Sequence, residues 1–231
     1  CDVMVSGGTE SVVSDLGIGG FAAMKALSTR NETPQKASRP WDQDRDGFVL
    51  SEGSSILILE EYEHAKARGA NIICEVAGAG MSGDAFDFVA PDPEGGGALL
   101  SMEMALKQAG ITSEDIDYIN THGTSTPVGD IAESKAVFKL LKGKQDDVNV
   151  GSTKSLHGHL LGATAGLEAI ICAMAIKDGK IPANINIDNL DPEIPLTCIN
   201  TEVIEKDVKV ALSNSFGFGG HNSTLILKKI D

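Results

Sequence analysis

Tyr118-Ile119-Asn120-Thr121-His122-Gly123-Thr124-Ser125-Thr126-Pro127-Val128-Gly129-Asp130 runs from a short apolar stretch into a turn of glycine and hydroxyl residues, then into a segment of helical period. A strand ending in such a turn, with a helix directly after it, is the repeating step of an α/β domain, and α/β sheets place ligands where their strands end. His122 stands at that end. A histidine alone there would more often do no more than satisfy turn backbone. Here Gly123 permits close approach of a ligand, and Thr124 and Thr126 offer hydroxyls to a polar chain, so a site is the better reading. Asp130 reads as the N-cap of the following helix, with Glu133 in its first turn complementing the dipole.

The same alternation extends in both directions. Short Val- and Ile-rich runs predict strands at 2–6, 54–60, 72–79, 117–121, 148–151, 209–214 and 223–227, and helical period predicts helices at 62–68, 97–109, 130–141 and 163–178. Residues 28–53 read as a long ordered loop. Within it Asp42, Asp44, Asp46 and Gly47 match the first half of a calcium loop, but the twelfth position falls on Gly53 instead of a bidentate Glu, so a salt-bridged structural loop is the expectation. Residues 182–195, rich in proline and turn formers, read as an extended connection.

Two further segments have the form of a strand end with chemistry on it. Ser152-Thr153-Lys154-Ser155-Leu156-His157-Gly158-His159 precedes a helix that begins with small residues. Lys154 and a histidine in a loop entering a helix N-terminus suit a developing negative charge, and Glu168 in that helix is available as a buried partner for Lys154. Residue type alone does not choose between His157 and His159; the small-residue helix start favours His159. Ser213-Asn214-Ser215-Phe216-Gly217-Phe218-Gly219-Gly220-His221-Asn222 places glycines around Phe218. It reads either as a plain hairpin turn, or as an oxyanion-binding amide or movable aromatic gate.

Composition bounds the partners. A chain of 231 residues, 42% apolar and 23% charged, can bury a core and is neither disordered nor collagen-like. The net charge of −14 argues against nucleic acid, whose phosphates need clustered Lys and Arg. No apolar run reaches membrane-spanning length and no secretion signal is visible, so a cytoplasmic protein is expected. The four cysteines, at 1, 74, 172 and 198, show no metal-ligand spacing and read as reduced thiols. The chain opens directly in a β-branched run, Cys1-Asp2-Val3-Met4-Val5, which suggests a start inside a larger protein.

HGTSTPVGD, STKSxxGHLLGA and NSFGFGG, in this order, resemble the C-terminal part of the β-ketoacyl-acyl carrier protein synthases, most closely the type II elongating condensing enzymes of the thiolase superfamily. DVMVSGGTE, ALSTRN, ASRPWDxxRDGFV and EEYEHAKARGA extend the likeness over essentially the whole chain. The resemblance implies an α/β, thiolase-like five-layer α-β-α-β-α architecture, incomplete at the N-terminus, with residues 1–68 finishing a first half and 69–231 forming a second. It implies that His122, Lys154 and His159 are catalytic and that Asp130, Glu133 and Glu168 support them. Thr124, Thr126, Phe216 and Phe218 would contact the pantetheine-borne substrate, with Phe218 as a gate. No resident cofactor or metal is implied, since phosphopantetheine arrives on acyl carrier protein. Lys25 and Arg30 are the basic residues that would meet that acidic partner, and a homodimer is expected of the full-length protein.

The implied reaction is a decarboxylating Claisen condensation of malonyl-acyl carrier protein with an acyl-enzyme thioester. Neutral imidazoles suit N–H donation to the thioester oxygen, and a Lys154 cation would help keep them neutral. The family's nucleophile lies in an Ala-Cys-x-Thr/Ser segment before Asp2 that is not in this sequence, so the chain alone is expected to be inactive. A polyketide ketosynthase shares all three motifs, and a chain-length-factor-like partner subunit would lack the cysteine, although such partners commonly lose the histidines too. A degradative thiolase would carry a second cysteine where FGFGGHN stands, and the initiating synthases use a His-Asn pair, so both fit less well.

Overall fold

The structure is a computed structural model that describes residues 1–142 and 145–230. In chain order its elements are β1 (Val3–Glu10), α1 (Asp15–Ala23), β2 (Gly53–Glu60), α2 (Tyr62–Ala67), β3 (Glu75–Gly83), α3 (Gly96–Ala109), β4 (Tyr118–Asn120), α4 (Pro127–Leu141), β5 (Asn149–Gly151), α5 (Lys154–His157), α6 (Thr164–Asp178), β6 (Lys180–Ile181), β7 (Ile204–Glu205), β8 (Val210–Gly217) and β9 (His221–Lys228).

A five-stranded mixed sheet in the order β3-β9-β8-β4-β5 forms the centre. Strand parity separates its two faces. Ile119, Leu212 and Ile226 point into a core with Met102 and Leu106 of α3 and Val137 and Leu140 of α4, whereas Tyr118, Ala211 and Leu227 meet Cys172 and Ile176 of α6 on the other side. The far side of α6 packs against the antiparallel β1–β2 ladder. A helix between two sheets has little room for a polar face, so even Thr164 and Glu168 are buried within α6. Close approach is set by small residues: a Cβ on Gly166 would lie 2.4 Å from Ser55 Oγ, and one on Gly8 2.4 Å from the Gly162 carbonyl. The described residues thus form four layers, α3/α4, sheet, α6 and ladder.

β4 runs parallel to both β5 and β8, so all three deliver their C-terminal ends to one edge of the sheet. That edge receives residues 121–126, 152–159 and 216–220, the three quoted motifs.

Several sequence expectations need correction. The helix read as starting at Asp130 begins at Pro127, because proline's missing N–H costs nothing in a first turn; Thr126, with extended backbone, is the N-cap. Asp130 lies inside the first turn and Glu133 one turn beyond it, and both carboxylates face inward. α1 was not anticipated, since its three glycines break helical periodicity; Ser14 caps it, accepting from the Gly17 N–H at 3.3 Å. β1 extends through Gly7 and Gly8 to Glu10, beyond the predicted strand. The 42–46 segment, by contrast, is the salt-bridged loop expected: Asp42 accepts from Arg39, Asp44, Asp188 and Asn189, and Asp46 from Ser28 and Thr29. Among the described residues no helix is long and apolar enough to cross a membrane.

Candidate active site

The first strand end holds His122 from behind. Glu133 reaches from α4 to accept the His122 N–H at 2.8 Å and the Gly123 N–H at 2.7 Å, and Asn214 of β8 donates to the same carboxylate at 3.1 Å. The space beside Gly123 is occupied by Ser152, whose Oγ donates to the Gly123 carbonyl at 2.6 Å; with φ of +26° a larger residue would strike it. Thr124 and Thr126 bring their hydroxyls 3.0 Å apart. Between them Ser125 takes a φ of +71°, held by its N–H to Asp130, by Arg39 N–H to its hydroxyl and by Gly47 N–H to its carbonyl. Arg45 locks the turn further, donating to the carbonyls of Thr126 at 3.1 Å and Pro127 at 2.7 Å.

At the second strand end Lys154 opens the single-turn α5 instead of sitting in a plain loop. It is fully buried, with Nζ 2.6 Å from Glu168 Oε1. Gly158 at φ +73° reverses the chain, and His159 is pinned by its N–H to the Val49 carbonyl and its carbonyl to the Ser51 N–H. Its Nδ1 lies 3.2 Å from the Thr164 hydroxyl. With that hydroxyl donating, Nε2 keeps the proton and can give it to an outside acceptor.

The two imidazoles meet edge-on, with centroids 5.3 Å apart. Phe48 closes the far side of His159 at 5.1 Å and Phe216 the far side of His122 at 5.6 Å. Both histidines open into a cavity of about 560 Å³ whose wall also includes Thr124, Thr126, Phe216 and Phe218. Phe218 is half exposed in a hairpin turn where Gly219 and Gly220 adopt φ of +83° and +73°. Lys25 sits exposed at the cavity mouth, whereas Arg30 is turned away, bound to the Asp44 carbonyl at 2.9 Å. His157 is not on the cavity wall; its Nε2 lies 3.0 Å from the Thr153 hydroxyl.

Burial decides the protonation states. Desolvation first, then the Lys154 charge, holds His122 well below the ordinary imidazole range and brings His159 down to about 3. Both rings are therefore neutral donors near pH 7. Burial likewise lifts Glu133 to about 7, against the amide donors that favour its anion, and Asp130 to about 6. Glu168 is also lifted by burial, to about 7, while Lys154 pulls it the other way. Two neutral imidazoles on the wall of a largely apolar cavity can stabilise, by N–H donation, an oxyanion formed on a bound thioester.

The family described as β-ketoacyl synthase, C-terminal domain matches residues 73–188, and the corresponding N-terminal domain family matches residues 1–65. The chain belongs to the β-ketoacyl synthase family. It is 52% identical to 3-oxoacyl-[acyl-carrier-protein] synthase 2 of Vibrio cholerae, over 99% of this chain and 56% of that protein, and 53% identical to the protein of the same name from Rhizobium meliloti, over 99% and 54%. It therefore spans about half the length of these relatives. Among solved structures, a β-ketoacyl synthase from Burkholderia phymatum superposes with a TM-score of 0.93 at 38% identity, covering 100% of this chain and 55% of that one. A type II PKS acyl-carrier protein in complex with its ketosynthase bound to the hexaketide gives 0.96 at 36% identity, covering 100% and 57%. The fold is thiolase-like, as these ketosynthase neighbours are.

Phe48, Thr164 and Asn214 have no assigned role in the sequence reading, although each touches a site residue. Phe48 stands in the quoted RDGFV segment, and that segment was the available signal.

Proposed function

We propose that this chain is the oxyanion-stabilising part of a 3-oxoacyl-[acyl-carrier-protein] synthase that elongates fatty acids by condensing malonyl-acyl carrier protein with an acyl-enzyme thioester. One observation carries the reading: two neutral imidazoles, 5.3 Å apart, share a cavity wall beside the buried Lys154–Glu168 pair. Breaking the malonyl C–C bond releases carbon dioxide and leaves its electron pair in an enolate. His122 and His159 donate N–H to the enolate oxygen. The enolate carbon attacks the acyl-enzyme carbonyl, and the cysteine thiolate, supplied from outside these residues, departs. Burial keeps the rings neutral, the Lys154 charge adds to it, and Glu168 holds Lys154. Thr124 and Thr126 bind the phosphopantetheine arm of the carrier substrate, and no resident cofactor is called for.

Residues 1–68 would complete one thiolase-like half and 69–231 form the other, within a cytoplasmic homodimer that docks acyl carrier protein through Lys25. Identities of about half with proteins named 3-oxoacyl-[acyl-carrier-protein] synthase 2 support the fatty acid elongation reading. Product chain length, assayed with malonyl and acyl carriers, separates it from polyketide synthesis.

In the full-length protein, His122→Ala or His159→Ala should lower the malonyl decarboxylation rate about 10²- to 10³-fold, the usual effect of losing one oxyanion donor. An unchanged rate rejects the assignment. Lys25→Glu should raise KM for carrier-bound substrates and spare small thioesters; equal effects on both dismiss docking there.

A further inference from the structure

Behind Glu133 a line of buried polar side chains runs along the α3/α4 face of the central sheet, from α4 over β8 and β9 to α3. Asn214 Nδ2 donates to Glu133 Oε1 at 3.1 Å, and its other neighbour is Met102 Sδ at 3.5 Å. Asn214 and Thr224 are direct cross-strand partners on β8 and β9, and Thr224 Oγ1 donates to Asn214 Oδ1 at 2.8 Å. Thr224 Oγ1 lies 2.9 Å from Ser101 Oγ on α3, which in turn lies 2.8 Å from the Ala98 carbonyl. Asn214 and Ser101 have no exposed surface and Thr224 has 1%. Apolar residues of similar shape would fill these places without desolvating any polar atom, so a fully connected polar line here points to a task beyond packing.

Proton direction along the line gives the task. An amide can face a carboxylate with its NH₂ or with its oxygen, and only the first is attractive. Thr224, giving its one proton to Oδ1, fixes the amide so that NH₂ faces Glu133. Glu133 in turn accepts the backbone N–H groups of His122 and Gly123. We propose that Asn214, oriented by Thr224, is a positioning residue that fixes the Glu133 carboxylate and, through it, the backbone that aims the His122 ring at the cavity.

This rests on His122 acting as an oxyanion donor. Glu133 is lifted by burial to about 7, and the Asn214 bond is among those pulling it back down, together with the backbone N–H groups of Gly123 and His122; Lys154 is the facing cation and Glu168 the facing carboxylate. Without the amide donor Glu133 would hold its proton to higher pH, and as an acid it would accept the two N–H groups more weakly.

The test uses malonyl decarboxylation in the full-length protein, with His122→Ala as the control for the underlying reading. Thr224→Val, nearly the same shape but without the hydroxyl, should lower kcat about tenfold and leave KM little changed, the size expected for a hydrogen bond to a charged group. Its acidic pH–rate limb should move up by about one unit. Thr224→Ser should restore both, and Asn214→Leu should reproduce the loss. If Asn214→Leu does not fold, the Thr224 pair decides alone. A folded Thr224→Val protein with a lowered Tm but wild-type kcat and pH profile would show a purely structural role and overturn the proposal. If His122→Ala itself keeps full activity, the donor reading has failed instead.

Discussion

His157 and His159 carry the same ring two residues apart, yet they are used differently. α5 is a single turn ending at Gly158, where a Cβ would come within 2.9 Å of the Val49 carbonyl, and the reversal sends His159 to the cavity while His157 folds back on Thr153. Spacing in the sequence could not separate them, because a glycine at φ +73° changes the direction of the chain without changing the count. His157→Gln should therefore leave decarboxylation at the wild-type rate. It should also change the pH dependence of stability. Desolvation, with Lys154 second, puts His157 at about 4 in the fold against an ordinary 6.5. Its neutral folded form thus has no effect above pH 6.5 and costs stability as pH falls from there toward 4, where the unfolded chain binds the proton first. Removing it should reduce the stability lost between pH 7 and pH 5 by on the order of 1 kcal/mol, read from urea unfolding at the two pH values. An equal or larger acid loss in the variant would contradict this burial.

At the level of elements, the strands and helices were legible wherever periodicity carried them, and α3, α6 and β8 lie close to their expected places. α4 was displaced because Pro127-Val128-Gly129 looks unlike helix when read alone. What makes it helix is tertiary: Arg45 occupies the carbonyls of Thr126 and Pro127, and Asp130 bonds the N–H groups of Trp41 and Ser125. Arg45 and Asp130 are both buried, 3.4 Å apart, and Arg45 also meets Asp191 at 2.6 Å. No local window contains these partners, which come from three separated stretches of chain. Asp130→Ala would strand part of a buried guanidinium and two backbone donors, so it should destabilise the full-length protein by about 3 to 5 kcal/mol. Because the same bonds hold the Thr124–Thr126 turn, KM for carrier-bound substrate should rise in whatever fraction remains folded. A small change in Tm would mean that solvent reaches Arg45 in solution.

For the whole molecule, α/β alternation was readable but strand order was not, since β8 pairs with β9 close by in sequence and with β4 about ninety residues earlier. The layer most exposed by that arrangement is the β1–β2 ladder. Its register places Val5 opposite Ile58 and Gly7 opposite Ile56, while the alternate positions Ser6 and Leu57 face α6 with Ser55, whose hydroxyl donates to the Ala163 carbonyl. The outward face thus presents Val3, Val5, Ile56 and Ile58, of which Val5 and Ile58 are 64% and 60% exposed. A two-stranded ladder with a contiguous apolar face and two open edges favours association. The 231-residue chain expressed by itself should therefore bind an apolar dye such as ANS and self-associate at micromolar concentration. Val5→Ser with Ile58→Ser should reduce both without altering the His122–His159 wall, which lies beyond α6 from this face. A monomeric, dye-silent wild-type chain would show that the ladder finds cover within these residues, by a rearrangement of β1 and β2 against the rest of the fold.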